Sequence, residues 1–111
     1  MDRRKEFFNE IAERWDRLKS PPVYKLERVV EEAMIEKGNV VCDVGTGTGV
    51  LIPYLLKKVG KTGKIYAIDY AENMIKKVKE KKFPQNVIPV VEDIHHTSFP
   101  PNFFDRIIAN A

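Results

Sequence analysis

A glycine-rich turn is the first feature of the sequence whose residue types could do chemistry. The segment Asp43-Val44-Gly45-Thr46-Gly47-Thr48-Gly49 follows an apolar run at residues 39–44 and precedes a helical pattern over about residues 50–59. Glycine permits a tight turn and lets the backbone approach a ligand closely. The helix that follows would present free N–H groups and the positive end of its dipole. The turn therefore predicts a site for an anionic ligand group, with a bare βα turn as the plainer alternative.

A carboxylate at the end of the next apolar run adds to this site. Asp69 ends the segment Lys64–Asp69 and stands 20 residues beyond Gly49. In doubly wound α/β folds an acidic residue at this place accepts hydrogen bonds from ribose hydroxyls. The spacing predicts a nucleoside site, whereas the plainer interpretation is a helix N-cap.

Two further acidic residues distinguish between adenosine-bearing ligands. Asp43 stands just before the first glycine, where a carboxylate would repel a pyrophosphate and would suit an ammonium group. Asp93 ends the third apolar run, at the same predicted sheet edge, where an adenine amino group could be recognised. The glycines also follow a Gly-x-Gly-x-Gly spacing rather than Gly-x-Gly-x-x-Gly. All three features favour an adenosine ligand with an amino group over a nicotinamide dinucleotide.

Alternating helices and strands are predicted to position these residues. Apolar spacing predicts helices over about 2–19, from near Pro22 to a stop at Gly38, over about 50–59 and over 72–82. Strands are predicted at 39–44, 64–69, 87–91 and 104–109. Single-helix crossovers imply a doubly wound, Rossmann-like α/β fold with a parallel sheet in the order 3-2-1-4. The predicted inward-facing residues of the helices are Phe7, Phe8, Ile11, Trp15, Leu18, Leu26, Val29, Val30, Ala33, Met74, Ile75 and Val78.

Composition limits the class of protein. The 111 residues suffice for one domain, contain no run of 18 apolar residues and begin without an apolar leader segment, so a cytoplasmic domain is expected. Cys42 is the single cysteine, which excludes an internal disulfide. The net charge of +3 is too small to predict nucleic-acid binding. We interpret the lysines within residues 76–82 as a solvent-exposed face of a helix. We interpret His95 and His96 as loop residues rather than metal ligands, with a general-base role as the alternative.

Four segments together resemble the class I S-adenosylmethionine-dependent methyltransferases. Residues 40–49 resemble motif I of that superfamily, and residues 65–74 resemble its second motif. Residues 92–94, with Phe99-Pro100 and residues 103–108, are similar to its third-strand and fourth-strand segments. Residues 7–16 resemble the first helix of its small-molecule, quinone-biosynthesis-like members. The order of the motifs is specific for the superfamily and unspecific for the methyl acceptor.

The resemblance implies S-adenosylmethionine as the cofactor. The backbone of Gly45, Gly47 and Gly49, with Thr46 between them, would pack against its methionine part. Asp43 would meet its amino group, directly or through water.

The adenosine part and the methyl group would meet a second set of residues. By the same resemblance, Asp69 would hold both ribose hydroxyls and Tyr70 would lie against the adenine. Asp93 would accept from the adenine amino group, with the Ile94 amide beside the ring. Asn110 would stand near the transferred methyl group.

The chain departs from the superfamily in the number of its strands. The family sheet has seven strands, whereas this sequence predicts four. We therefore expect residues 1–111 to be one cofactor-binding domain that is incomplete at its C-terminus. We expect it to serve methyl transfer to a small-molecule acceptor and to self-associate through the exposed fourth strand. The alternatives are a nicotinamide-dependent oxidoreductase domain and a truncated, non-catalytic cofactor-binding module.

Overall fold

Four strands and three helices alternate in the computed structural model, which describes residues 23–109. The elements, in chain order, are α1 (Val23–Glu32), β1 (Val40–Val44), α2 (Ile52–Val59), β2 (Lys64–Asp69), α3 (Glu72–Glu80), β3 (Val87–Val91), a 3₁₀ helix (Ile94–His96) and β4 (Arg106–Ala109). The helix expected over 2–19 and the site residue Asn110 lie outside the described residues.

The strands form one sheet in the order β3-β2-β1-β4, and every neighbouring pair is parallel. β1 pairs with β2 so that Val41 lies opposite Ile65, and with β4 so that Asp43 lies opposite Ile108. This topology confirms the order predicted from the single-helix crossovers. It also places the glycine turn at the carboxyl end of a central strand, between the carboxyl ends of its two neighbours.

One face of the sheet carries the main core. Pairing register places Val41, Ile65, Val87 and Ile108 on the same face, and all four are buried. The β1–β2 and β2–β3 crossovers run in the same direction, so their right-handed helices cover the same face. The helical residues that join this core cluster are Leu26, Val30, Ile52, Leu55, Val59 and Val78.

The opposite face is covered in part by aromatic side chains from the β3–β4 loop. The ring of Tyr66, on β2, lies 5.2 Å from Phe99, 5.4 Å from Phe103 and 5.6 Å from Phe104, measured between centroids. Their steep interplanar angles of 70–79° are those of edge-to-face packing. We call these four rings the aromatic cluster. Ile107 shares this face and is 62% exposed, so the covering is local.

The sequence analysis was wrong about the end of α1. The helix ends at Glu32, and Met34 takes a left-handed conformation with φ 53° because the chain turns there to bury Ile35. Gly38 also has a positive φ, of 85°, but its N–H donates to the carbonyl of Val59 at 2.9 Å. Gly38 therefore joins α1 to the end of α2 rather than terminating a helix.

Within residues 23–109 no helix combines the length and the apolar character needed to cross a bilayer.

The buried stripe of α1 is narrower than predicted. Leu26 and Val30 are buried, whereas Val29 is 36% exposed and Ala33 is half-buried. These two buried residues, an i, i+4 pair, join the core cluster, and among the described elements α1 is in contact with α2. The inward residues predicted for α3 are confirmed, since Met74, Ile75 and Val78 are all at most 3% exposed.

Strand boundaries agree with the sequence analysis for β2 and β3 and differ for β4. β4 begins at Arg106 rather than at Phe104, because Phe104 belongs to the aromatic cluster and Asp105 is hydrogen-bonded to the first residue of β1. The Val40 N–H donates to Asp105 Oδ2 at 2.7 Å, and the Asp105 N–H donates to the Val40 carbonyl at 2.8 Å.

Replacing Gly63 by alanine tests how tightly the turn between α2 and β2 is packed. A Cβ at Gly63 would lie 2.4 Å from the Val59 Cβ and 2.8 Å from the carbonyl oxygens of Asn39 and Val59. Two of these three atoms are backbone, so the clash is relieved only by moving the chain. We expect Gly63→Ala to lower the free energy of unfolding by ~1–3 kcal/mol in urea titrations. Lys61→Ala, at an exposed position of the same turn, is the control, and equal midpoints for the two variants would contradict the packing described.

Candidate functional site

The three acidic residues predicted for the site stand at the carboxyl edge of the sheet. Asp43 is the penultimate residue of β1, Asp69 is the last residue of β2, and Asp93 follows β3 by two positions. Because the three strands are parallel neighbours, their carboxyl ends meet at one edge. Ligands of open α/β sheets bind in the crevice outside this edge, so the fold positions all three acids around one candidate site.

The glycine turn leaves β1 through three left-handed residues. Gly45, Gly47 and Gly49 have φ angles of 67°, 60° and 85°. The Thr46 N–H donates to the Ile68 carbonyl of β2 at 3.0 Å, and the Gly49 N–H donates back to the Thr46 carbonyl at 2.9 Å. The turn is thus hydrogen-bonded both to itself and to the neighbouring strand. α2 then begins without a side-chain cap on its first N–H groups, with proline in its first turn as predicted.

Two glycines of this turn have opposite surroundings. A Cβ at Gly49 would lie 2.9 Å from Ile52 Cδ1 and 3.3 Å from the ring of Phe83. A Cβ at Gly47 would meet no atom of the described residues within 4 Å. Gly49 is therefore required by packing inside the protein, whereas Gly47 borders open space that a ligand can enter.

Asp43 is a buried carboxylate with one unpartnered oxygen. It is 1% exposed, and its Oδ2 accepts a hydrogen bond from Thr46 Oγ1 at 2.9 Å. Its Oδ1 has no partner among residues 23–109. Burial raises the pKa of Asp43 to about 7; the Thr46 hydrogen bond lowers it, and repulsion from Asp69 raises it. A cationic group beside Oδ1 would supply the missing partner and would favour the charged carboxylate.

Asp69 ties the turn after β1 to the turn after β2. Its Oδ2 accepts from the Gly47 N–H at 3.0 Å and its Oδ1 from the Ala71 N–H at 2.9 Å. Burial raises its pKa, and the N–H groups of Ala71, Gly47 and Tyr70 oppose that rise. Each ionised carboxylate oxygen offers about two acceptor directions, so hydroxyl donors can be added to these backbone contacts.

The rest of the carboxyl edge of the sheet is occupied by Asp93, Ile94 and Tyr70. Asp93 is exposed and caps the 3₁₀ helix, since its Oδ1 accepts from the His95 N–H at 3.0 Å. Ile94 and Tyr70 are half-buried. Hydrogen bonds connect Asp43 to Thr46 and Asp69 to Gly47, whereas the bond found at Asp93 is to its own 3₁₀ helix.

The remaining chemically active side chains lie apart from this arrangement. His95 and His96 are exposed on the 3₁₀ helix, and residues 23–109 hold no group of three His, Cys, Asp or Glu placed to bind a metal ion. Cys42 is fully buried on β1. Burial, with Asp43 and Glu92 nearby, raises its thiol pKa to about 12, so it is an unreactive core residue as expected.

Sequence analysis missed the residues that enclose the turn from outside. Lys81 was interpreted as part of a solvated face, yet its Nζ donates to the Thr48 carbonyl at 2.7 Å. Phe83 packs where Gly49 has no side chain. Both contacts span more than 30 residues of sequence, and no local pattern reports such a pairing.

The pH dependence of stability tests the burial of Asp43. The folded state, with a pKa of about 7, binds the Asp43 proton more tightly than an ordinary carboxyl of pKa 3.8. Ionisation therefore costs stability, which falls as the pH rises from about 4 through 7. At about 1.4 kcal/mol per pKa unit, the loss of stability amounts to at most about 4 kcal/mol.

We expect Asp43→Asn to reduce the difference in melting temperature between pH 5 and pH 8. Glu80→Gln, at an exposed helix end, should leave the parent's difference unchanged. A parent that is equally stable at both pH values would contradict the assignment.

Comparison with known proteins places this arrangement in a family. The model of a family described as "Methyltransferase domain" matches residues 41–111, which contain the glycine turn and all three acids. A demethylmenaquinone methyltransferase from Staphylococcus aureus is 34% identical over 106 residues, covering 90% of this chain and 44% of the relative. The chain thus spans a little under half the length of the curated relatives it matches.

Solved structures agree with the sequence matches. An S-adenosylmethionine (SAM) dependent methyltransferase from Aquifex aeolicus superposes with a TM-score of 0.69 and 38% identity, over 76% of this chain and 46% of that one. A coclaurine N-methyltransferase bound to N-methylheliamine and SAH gives a TM-score of 0.66 and 26% identity, over 78% of this chain and 26% of the other. The resemblance predicted from the motifs is confirmed, and the chain belongs to the methyltransferase domain family.

Proposed function

We propose that this chain binds S-adenosylmethionine and forms the cofactor-binding part of a methyltransferase for a small-molecule acceptor. The observation that carries the proposal is that Asp43 Oδ1, buried near the end of β1, has no hydrogen-bond partner among residues 23–109. In the turn that follows, Gly47 borders space that no atom of these residues fills. A buried carboxylate with an orphaned oxygen is costly unless a donor reaches it. The amino group of S-adenosylmethionine is such a donor, whereas the pyrophosphate of a dinucleotide would be repelled.

The residues of the site divide the cofactor among them. In this proposal the backbone of Gly45, Thr46 and Gly47 receives the methionine part, and Gly49 packs behind it. Asp69 accepts from the ribose hydroxyls in addition to its backbone contacts. Tyr70, Asp93 and Ile94 border the adenine, and Asn110, beyond the described residues, stands near the methyl group.

Catalysis in this proposal rests on alignment. The bound cofactor supplies a methyl group on a sulfonium, which is already an activated leaving group. Holding the acceptor in line with that methyl can contribute ~7–11 kcal/mol to lowering the barrier. The chain's own part is to fix the cofactor at the sheet edge, through Asp43 at one end and Asp69 at the other. We assign no general acid or base.

For the acceptor we propose a small aromatic molecule of the quinone class. The support is the 34% identical relative, which is a demethylmenaquinone methyltransferase. We place the reaction in the cytoplasm, in keeping with Cys42 as a buried free thiol.

A pair of glycine substitutions tests the cofactor site. Gly47→Ala directs a methyl group into the open space and costs only the left-handed backbone penalty of roughly 1–2 kcal/mol. We expect it to weaken S-adenosylmethionine binding at least about tenfold, measured by calorimetry, and to lower the melting temperature less than Gly49→Ala does. Gly49→Ala drives its methyl group into Ile52 and Phe83, so its main effect should be a larger drop in melting temperature.

The parent chain titrated with NADH is the ligand control, and no binding is expected. The proposed cofactor site is wrong if Gly47→Ala binds S-adenosylmethionine as tightly as the parent. Binding of NADH in preference to S-adenosylmethionine would instead support the nicotinamide alternative.

We also propose that copies of the chain self-associate through β4. β4 pairs with β1 on one side, and within residues 23–109 no strand pairs with its other side. An unpaired strand edge beside the exposed Ile107 is a template for pairing. We expect dimers or larger species in sedimentation-velocity runs at high concentration, reduced by Ile107→Lys. Tyr24, on α1, is similarly exposed, so Tyr24→Lys is the control and should leave the self-association unchanged. A parent chain that stays monomeric at high concentration would refute the proposal.

A further inference from the structure

The glycine turn is held by contacts on three sides, and one of them is a lysine. Toward β2 the turn is fixed by Thr46 and Gly47, through the Ile68 carbonyl and the Asp69 carboxylate. Toward β1 it is fixed by the Thr46 hydroxyl on Asp43. On the third side Lys81 Nζ donates to the carbonyl of Thr48 at 2.7 Å, a short, charge-assisted hydrogen bond.

Lys81 approaches the turn from another crossover. It directly follows α3 and lies 33 residues beyond Thr48 in the sequence. Val78, one turn earlier in α3, and Phe83, two residues later, both lie within 3.4 Å of the position a Gly49 Cβ would take. The end of α3 and the residues after it therefore pack against residues 48–49, and Lys81 adds a polar contact to this packing.

The contact acts on the carbonyl of a residue whose own side chain makes no described hydrogen bond. Thr48 is fully buried, and its Oγ1 has no hydrogen-bond partner among the described residues. The side chain thus gives no polar anchor to the peptide that separates open Gly47 from packed Gly49. The ammonium of Lys81 supplies that anchor through the carbonyl.

We infer that Lys81 is a positioning residue for the cofactor: it holds the Thr48 peptide so that the open side of the turn keeps its ligand-binding shape. This inference rests on the proposed function. In this inference Lys81 acts through the Thr48 carbonyl rather than by binding the cofactor itself. Without the Lys81 contact, the Thr48 peptide would be more mobile, and cofactor binding would have to order it. The free energy spent on this ordering would lower the apparent affinity for the cofactor.

Three variants of the full 111-residue chain test the inference. Lys81→Met removes the charge and the donors but keeps the apolar stem, and Lys81→Arg restores both. Lys82→Met is the matched control, because Lys82 is the exposed neighbouring residue. Amide hydrogen exchange of Gly49, whose N–H bonds to the Thr46 carbonyl, reports on the turn without any ligand. S-adenosylmethionine binding by calorimetry reports on the consequence.

We expect Lys81→Met to accelerate Gly49 exchange and to weaken S-adenosylmethionine binding about tenfold, with the amides of β1 and β2 unchanged. Lys81→Arg should recover most of both effects, and Lys82→Met should match the parent. Unchanged Gly49 exchange in Lys81→Met overturns the inference, as does equal acceleration throughout the sheet, which would show a role in global stability only. Failure of the parent to bind S-adenosylmethionine would count against the proposed function, while the exchange result would still decide whether Lys81 holds the turn.

Discussion

The carboxylate of Asp69 is the contact on which the arrangement of the carboxyl edge depends. Its two oxygens receive the N–H of Gly47, from the turn after β1, and the N–H of Ala71, from the turn after β2. One side chain thereby sets the distance between two crossover connections that the sheet alone leaves free. This arrangement buries an acidic side chain, and burial raises its pKa. The N–H groups that donate to the carboxylate lower the pKa and so oppose this effect. Structure and candidate ligand binding consequently share one residue.

The glycine turn shows how a single motif can serve packing and binding at adjacent positions. Gly49 faces inward, against Ile52 and Phe83, while Gly47, two residues earlier, faces open space. Between them lies Thr48, a buried residue whose hydroxyl has no partner among the described residues. Together with Asp43 Oδ1 at the end of β1, this leaves two buried polar atoms that have no partner within residues 23–109. Such unsatisfied groups are few in native proteins, and a ligand that completes their hydrogen bonding is one explanation for them.

Much of the fold was predictable from the sequence because its signals are local. Continuous apolar runs marked β2 and β3 to the residue, and the crossover rule gave the sheet order. The failures occurred where distant residues decide the outcome. α1 ends early because Ile35 turns into the core, and β4 starts late because Phe104 meets Tyr66, 38 positions earlier in the chain.

The candidate site shows the same division. The types and order of its acids were visible in the sequence, since they follow predicted strands. Their present hydrogen-bond partners were not visible in the sequence. Asp69 was expected to bind a ligand or to cap the next helix, whereas the N-cap of α3 is Ala71 and Asp69 accepts from Gly47, 22 residues earlier. Lys81 was one lysine among several in a charged segment, and only the structure distinguishes it by its contact with Thr48.

The pairing of β1 with β4 has a consequence for the synthesis of the chain. Asp105, which closes the start of β1 through Val40, lies 65 residues later in the sequence. At about 5–20 residues per second, a ribosome needs several seconds to add that length. During this time the β2 and β3 units can fold onto β1 from one side, while its other edge stays unpaired and available to neighbouring nascent chains. The strand that ends in the glycine turn is thus central in the finished sheet and an edge strand while the chain is being made.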